Sequence, residues 1–287
     1  MSNSKHLKEL FLSINDYFAN EIDEIINDNS QKYISKHDNN TFSMQPDKKN
    51  IAKNIENSIS KDNHKIVENL SNNQNFLSIN KIIDEAKKIA SSASNLVELK
   101  IAVSNFENCG LKKMATNTVF ADGNPDAKIM VIGEAPGNNE DLQGIPFCGD
   151  SGKLLDEAFK AINLERSKDY YITNVIFWRP PGNRPPTSEE LAICRPFVER
   201  HIALFNPEIL ILVGSSAMNS VLQTEEKISN IRGKIIDFAP KFVAKSIPTM
   251  TIFHPSYLMR QPTKKKLAWL DFLNLEKFLI DSNIIKY

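Results

Sequence analysis

Leu7, Leu10, Phe11, Ile14, Phe18, Ile22 and Ile25 recur at helical spacing near the start of the chain. The pattern predicts an amphipathic helix within residues 1–26, whose apolar stripe packs on its own protein or docks a partner. The period then vanishes. Asn, Lys, Ser and Asp dominate from about Asn27 to Asn75, and residues 27–77 read as a disordered linker, because so few apolar groups cannot offset the entropy of ordering. Helical spacing returns with Ile82, Ile83, Ala86, Ile89, Ala90, Leu96, Leu99 and Ala102, predicting one helix over 78–106 that leads a folded domain over 78–287.

Beyond it the period changes. Short runs at Lys128–Ile132, Tyr170–Phe177, Ile209–Val213 and Pro248–Phe253 have the length and the apolar or β-branched character of buried strands. Val119–Pro125 reads as a strand end and turn. Between the runs lie helical segments: Leu154–Ile162 capped by Asp150 or Ser151, a helix to Phe205 opened by a Thr187/Glu190 capping box, Gly214–Leu222, and a last helix carrying Trp269, Phe272 and Leu279. Strands alternating with helices predict an α/β domain with a largely parallel sheet. Three long loops follow the first, second and fourth strands. In such sheets the C-terminal strand ends share one edge, where ligands bind.

With 35 basic and 35 acidic groups among 287 residues, net charge names no polyanionic partner, so local clusters must carry that argument. Three cysteines, Cys109, Cys148 and Cys194, are too few and scattered for a disulfide framework and suit a reducing cytoplasm. No apolar run is long enough for a bilayer, and charges interrupt any signal-peptide core. A soluble cytoplasmic protein is expected.

The three loops bring together Glu134, Glu140, Phe147, Asn174 and His254, with Arg179, Arg184, Arg260 and Lys264–Lys266 around them. Each has two readings. Phe147 is core, or a face on which a base stacks. Asn174 satisfies strand-end backbone, or reads a base edge with donor and acceptor in fixed geometry. His254 is a turn residue before proline, or a donor to an oxygen that turns negative as a bond breaks. The lysines are a solvated helix face, or hold phosphates.

Three segments, GEAPGNNEDLQGIPFCGDSGKLLD, TNVIFWRPPGNRPP and HPSYLMRQPTKKKLAWLD, resemble the signature segments of the family 4 branch of the uracil-DNA glycosylases, and the resemblance spans roughly Phe106 to Phe278. It implies a three-layer α/β/α sandwich around a short, mostly parallel four-stranded sheet. The implied activity is DNA repair by hydrolysis of the N-glycosidic bond of deoxyuridine, in single- or double-stranded DNA; the rival is a non-catalytic uracil- or lesion-binding module. Phe147 would stack on the flipped uracil, Asn174 would read its Watson–Crick edge, and His254 would stabilise the departing anion. Glu140 would lie by C5, and Glu134 and Ala135 would shape the pocket beside the sugar. Leu258 and Met259 would be wedges, and Arg184, Arg260 and Lys264 would meet DNA. Family members usually hold a [4Fe–4S] cluster on four cysteines. Here Cys109 and Cys194 match two of the positions, while Phe106 and Trp178 stand at the others. Since a cubane needs four thiolates, no cofactor and an apolar plug are expected. Some relatives bind uracil covalently through a His-containing insertion; this chain has Gly182–Pro186 there, without His, so ordinary hydrolysis is expected; a monomer is expected as well.

Overall fold

The computed structural model describes residues 78–285; the expected N-terminal helix and linker lie outside the described residues. The elements run α1 (78–92), α2 (Leu96–Asn105), β1 (Ala121–Gly123), β2 (Ile129–Gly133), α3 (Asn138–Gln143), α4 (Asp150–Ala161), β3 (Tyr170–Asn174), α5 (Ser188–Phe205) and β4 (Ile209–Val213). Then come α6 (Ser215–Leu222), α7 (Ile228–Ile231), β5 (Ile235–Phe238), β6 (Ile247–Ile252), α8 (Pro255–Arg260) and α9 (Lys265–Asp281).

The sheet order is β1-β3-β2-β4-β6-β5. Its four central strands are parallel, in register Ile129↔Tyr170, Ile129↔Ile209 and Leu210↔Thr249. These correspond to the four predicted strands, except that β3 ends at Asn174 and the predicted continuation to Phe177 leaves the sheet. Two short strands extend the edges antiparallel, β1 on β3 and β5 on β6. β2 and β4 are buried along their whole length, as parallel strands covered on both faces must be. Alternate residues divide between the layers. Met130, Ile132, Leu210 and Leu212 pack with Leu99, Val103, Phe197 and Ile202 on one face. Ile129, Val131, Ile209 and Ile211 pack with Leu155, Phe159, Phe272 and Leu275 on the other. The result is helix, sheet, helix in three layers.

Two helix boundaries differ as well. The leading helix is two helices, because Asn95 caps α2. Its Oδ1 accepts from the Glu98 amide at 2.9 Å, Glu98 accepts from the Ser94 amide at 2.7 Å, and Arg200 of α5 takes the Ala93 carbonyl at 2.9 Å. Nor is α4 capped by Asp150 or Ser151: its N-cap is Gly149, with no side-chain cap. The Thr187/Glu190 capping box on α5 is present as predicted.

Candidate active site

The C-terminal ends of β2, β3, β4 and β6 open into one cleft of about 1100 Å³, whose walls include Glu134, Phe147, Asn174, Gly214, His254 and Arg260. Glycines let its parts close up. A Cβ at Gly133 would lie 2.3 Å from Phe147 Cζ and 2.5 Å from Asn174 Oδ1, so the ring and the amide meet over a residue that has no side chain. A Cβ at Gly152 would lie 1.7 Å from the Phe147 carbonyl oxygen, and one at Gly214 3.0 Å from His254 Cβ. Phe147 itself has φ 53, a left-handed conformation costing a non-glycine residue about 1–3 kcal/mol. Its buried ring sits 6.0 Å from the His254 ring, tilted by 32°.

Asn174 ends β3 and is buried, and its Oδ1 has no hydrogen-bond partner among the described residues. A buried carbonyl oxygen without a donor is costly. His254 is the N-cap of α8. Its Nδ1 accepts from the Ser256 amide at 3.1 Å and lies 2.8 Å from Ser256 Oγ. Burial, then the charge of Arg260, push its pKa down to about 4, with Glu140 opposing. The ring is therefore neutral, and with Nδ1 accepting, its proton is on Nε2. The half-buried Glu134 carboxylate makes no hydrogen bond or ion pair with a described residue, and Ala135 lies beside it on the cleft wall.

The other expected residues divide. Glu140 is a loop staple: Oε1 accepts from Gly149 N at 2.8 Å and Oε2 from Gly137 N at 3.1 Å. Leu258, expected as a wedge, is only 7% exposed. It stands three residues after buried Pro255 and so shares the inward face of α8. Met259, 48% exposed, presents to solvent instead. Arg184, expected at DNA, is forked onto Glu190 at 2.9 and 2.6 Å, which neutralises it at the rim. Arg260 and Lys264 stand on the cleft rim without an ion pair to any described residue.

Residues that the pattern did not single out complete the walls. Arg232 lines the cleft, lies 4.7 Å over Phe253, and is paired with buried Asp271 at 2.9 Å. Ser256 fixes the His254 tautomer; the His-Pro-Ser spacing, an N-cap followed by Pro at N1, was the available signal.

The positions matched to the iron–sulfur ligands lie in the core. Cys109 and Cys194 are buried free thiols, and the neighbouring Cys109, with burial, pushes the Cys194 thiol well up. Phe106 packs edge-on to Phe197 at 5.1 Å, and Trp178 donates Nε1–H to Thr118 Oγ1 at 3.0 Å. No group of three or more His, Cys, Asp or Glu able to hold a metal ion occurs among the described residues. Two thiols and two packed aromatic rings do not fit a four-thiolate cluster.

Comparison with known proteins agrees with this geometry. The Uracil DNA glycosylase superfamily matches residues 120–276. The type-4 uracil-DNA glycosylase of Sulfurisphaera tokodaii is 35% identical over 191 residues, 65% of this chain and 86% of the relative. That of Thermotoga maritima is 40% identical over 153 residues, 53% and 77% of the two chains, and that of Archaeoglobus fulgidus 36% over 168 residues, 57% and 83%. The chain therefore belongs to the uracil-DNA glycosylase superfamily, and it is similar to the type-4 branch.

Proposed function

We propose that this protein is a monofunctional uracil-DNA glycosylase. It cleaves the C1′–N1 bond of deoxyuridine with water: hydroxide adds to C1′, a proton goes to uracil, and an abasic site remains. The observation that carries this reading is the empty, buried Oδ1 of Asn174 beside the Phe147 ring. Uracil offers N3–H to that oxygen and O4 to the Asn174 amide NH₂. Cytosine offers the opposite pattern and is refused.

Extruding the base costs a few kcal/mol, least at a weak U·G pair, and stacking on Phe147 returns about 1–3 kcal/mol. The departing uracil carries its charge on O2, where neutral His254 donates from Nε2; one such preorganised donor is worth about 3–4 kcal/mol. The Glu134 carboxylate serves the cationic sugar and its attacking water. Glu140 acts through the loop it clamps, which walls the C5 side of the base. Met259 fills the gap in the stack, and Arg260 and Lys264 hold phosphates. The three free thiols suit a reducing cytoplasm, no helix among the described residues is long and apolar enough to cross a membrane, and a monomer suffices for the chemistry.

The protein works without a [4Fe–4S] cluster, its place being taken by Phe106, Trp178 and the Cys109–Cys194 thiol pair. One experiment tests both halves: excision of uracil from single-stranded, U·A and U·G oligonucleotides, beside the iron and sulfide content of the same preparation. Excision without iron is expected. Binding of uracil DNA with no strand scission after alkali would favour the lesion-binding module, and stoichiometric iron and sulfide would overturn the plug.

A further inference from the structure

Phe147 keeps its left-handed backbone only if its surroundings impose it. Behind the loop, away from the cleft, stands Arg166. Its Nη1 donates to the Pro146 carbonyl at 2.9 Å and its Nη2 to the Phe147 carbonyl at 2.8 Å. The guanidinium is itself fixed. Asp156 of α4 accepts from Nε at 3.0 Å and from Nη2 at 2.8 Å, and Asp122 of β1 accepts from Nη1 at 3.2 Å. Asp156 in turn accepts from the Tyr170 hydroxyl at 2.6 Å. Only 16% of the Arg166 side chain is exposed. Burial opposes its charge, but the hydrogen bonds and charge of Asp156, then Tyr170 and the hydrogen bond to Asp122, hold its pKa above that of an ordinary arginine.

We propose that Arg166 is a positioning residue for excision: by holding the two carbonyls at Pro146 and Phe147 it sets the height and tilt of the ring on which uracil stacks. Neither Arg166 nor its carboxylate partners line the cleft, so it acts on the base through Phe147 alone. The planar fork matters as much as the charge. Five donors in one plane serve two carbonyls and two carboxylates together, which a lysine ammonium at the end of a flexible stem does not reproduce. The inference rests on the reading of Phe147 as the stacking surface.

The test uses the full chain and free uracil as probe. Arg166→Met, Arg166→Lys and Phe147→Leu are compared with wild type in three measurements: inhibition by free uracil, single-turnover excision at saturating enzyme, and affinity for undamaged duplex. Arg166→Met is expected to weaken uracil inhibition about tenfold and to slow excision about 10–100-fold, with duplex affinity unchanged and Arg166→Lys recovering only part of the loss. Added to Phe147→Leu, Arg166→Met is expected to cost less than about twofold more, as sites acting through one contact are not additive. Wild-type inhibition by uracil in a folded Arg166→Met protein overturns the proposal, as does a full additional loss in the Phe147→Leu background. If Phe147→Leu itself binds uracil and excises like wild type, the stacking reading fails, and this proposal with it. Should Arg166→Met not fold, Asp122→Ala removes one partner while leaving the Asp156 pair. A smaller shift of uracil inhibition in the same direction supports the proposal, and no shift overturns it.

Discussion

Replacing His254 with alanine separates its role in the reaction from a role in binding. Among the described residues the ring's hydrogen bonds come from Ser256, which offers its amide to Nδ1 at 3.1 Å and places its hydroxyl 2.8 Å away. With a pKa near 4, about one ring in a thousand is charged at neutral pH, so the donor proposed for uracil O2 is a neutral Nε2–H. That donor meets little charge while the glycosidic bond is intact and a full negative charge once it breaks. Only such a difference accelerates chemistry. His254→Ala should therefore slow single-turnover excision by about 10²–10³-fold, equivalent to roughly 3–4 kcal/mol, with little change in affinity for a non-cleavable uracil analogue. Ser256→Ala keeps the amide but loses the hydroxyl. One net hydrogen bond, about 1 kcal/mol, predicts about a fivefold loss. The pH profile gives an independent check: no His254 step should appear between about pH 8 and 5, because the ring titrates near 4. Wild-type cleavage by His254→Ala, or a rate step near pH 6.5 that vanishes with that substitution, would refute the assignment.

Asn174→Asp replaces the amide donor with an acceptor and should lose most uracil excision while gaining a trace on cytosine, read by mass analysis of the released base. Gly152→Ala forces a Cβ against the Phe147 carbonyl and should cost about 1–3 kcal/mol of stability in urea unfolding, along with uracil affinity. Arg260→Ala should weaken DNA binding and flatten its salt dependence by about one ion, while saturated single-turnover cleavage is unchanged. His201 is buried, with Nε2 on Tyr171 Oη at 3.0 Å, Nδ1 empty, and its pKa pushed by burial down to about 3. A depressed pKa contributes stability that is complete above the unfolded value near 6.5 and lost as pH falls through the folded one. Between about pH 6.5 and 4.5, wild type should therefore lose about 2–3 kcal/mol relative to His201→Gln; parallel stability curves for the two proteins would contradict this.

What the hydrophobic pattern could carry was the set of four central strands, since Ile129–Ile132 and Ile209–Val213 are apolar on both faces and bounded by loops. Chain order then brought Phe147, Asn174 and His254 to one edge. The break between α1 and α2 was hidden because Ile89, Ala90, Leu96 and Leu99 keep their helical spacing across it. The Asn95–Glu98 cap is local, but the Arg200 grip on Ala93 spans 107 residues. β5 is half-buried on an antiparallel edge and so lacks a strong pattern. Leu258 and Met259 are equivalent as apolar neighbours in sequence; only the pitch of α8 turns one inward and the other out. Arg184 looked free because the capping box already accounted for Glu190, whose carboxylate in fact serves both Thr187 and Arg184. Arg166 was illegible for a different reason: its partners stand 10, 19, 20 and 44 residues away.

The aromatic plug and the uracil reader are parts of one stretch of backbone. After Asn174 the chain stays bound to its neighbours: Val175 N donates to Gly133 O at 2.9 Å, Ile176 N to Glu134 O at 3.0 Å, and Val119 N to Phe177 O at 2.8 Å. The stretch then ends in buried Trp178, fixed by Thr118. Whatever fills the space around residue 178 therefore anchors the strand end that presents the Asn174 amide. A metal cluster can supply that anchorage through sulfur ligation; a tryptophan, a phenylalanine and two small thiols supply it through burial and close contact. No group of the plug lines the cleft, and no electron changes hands in hydrolysis. On the proposed reading, anchorage is the service that the chemistry asks of this position, and the packing of Phe106, Trp178 and the two thiols supplies it.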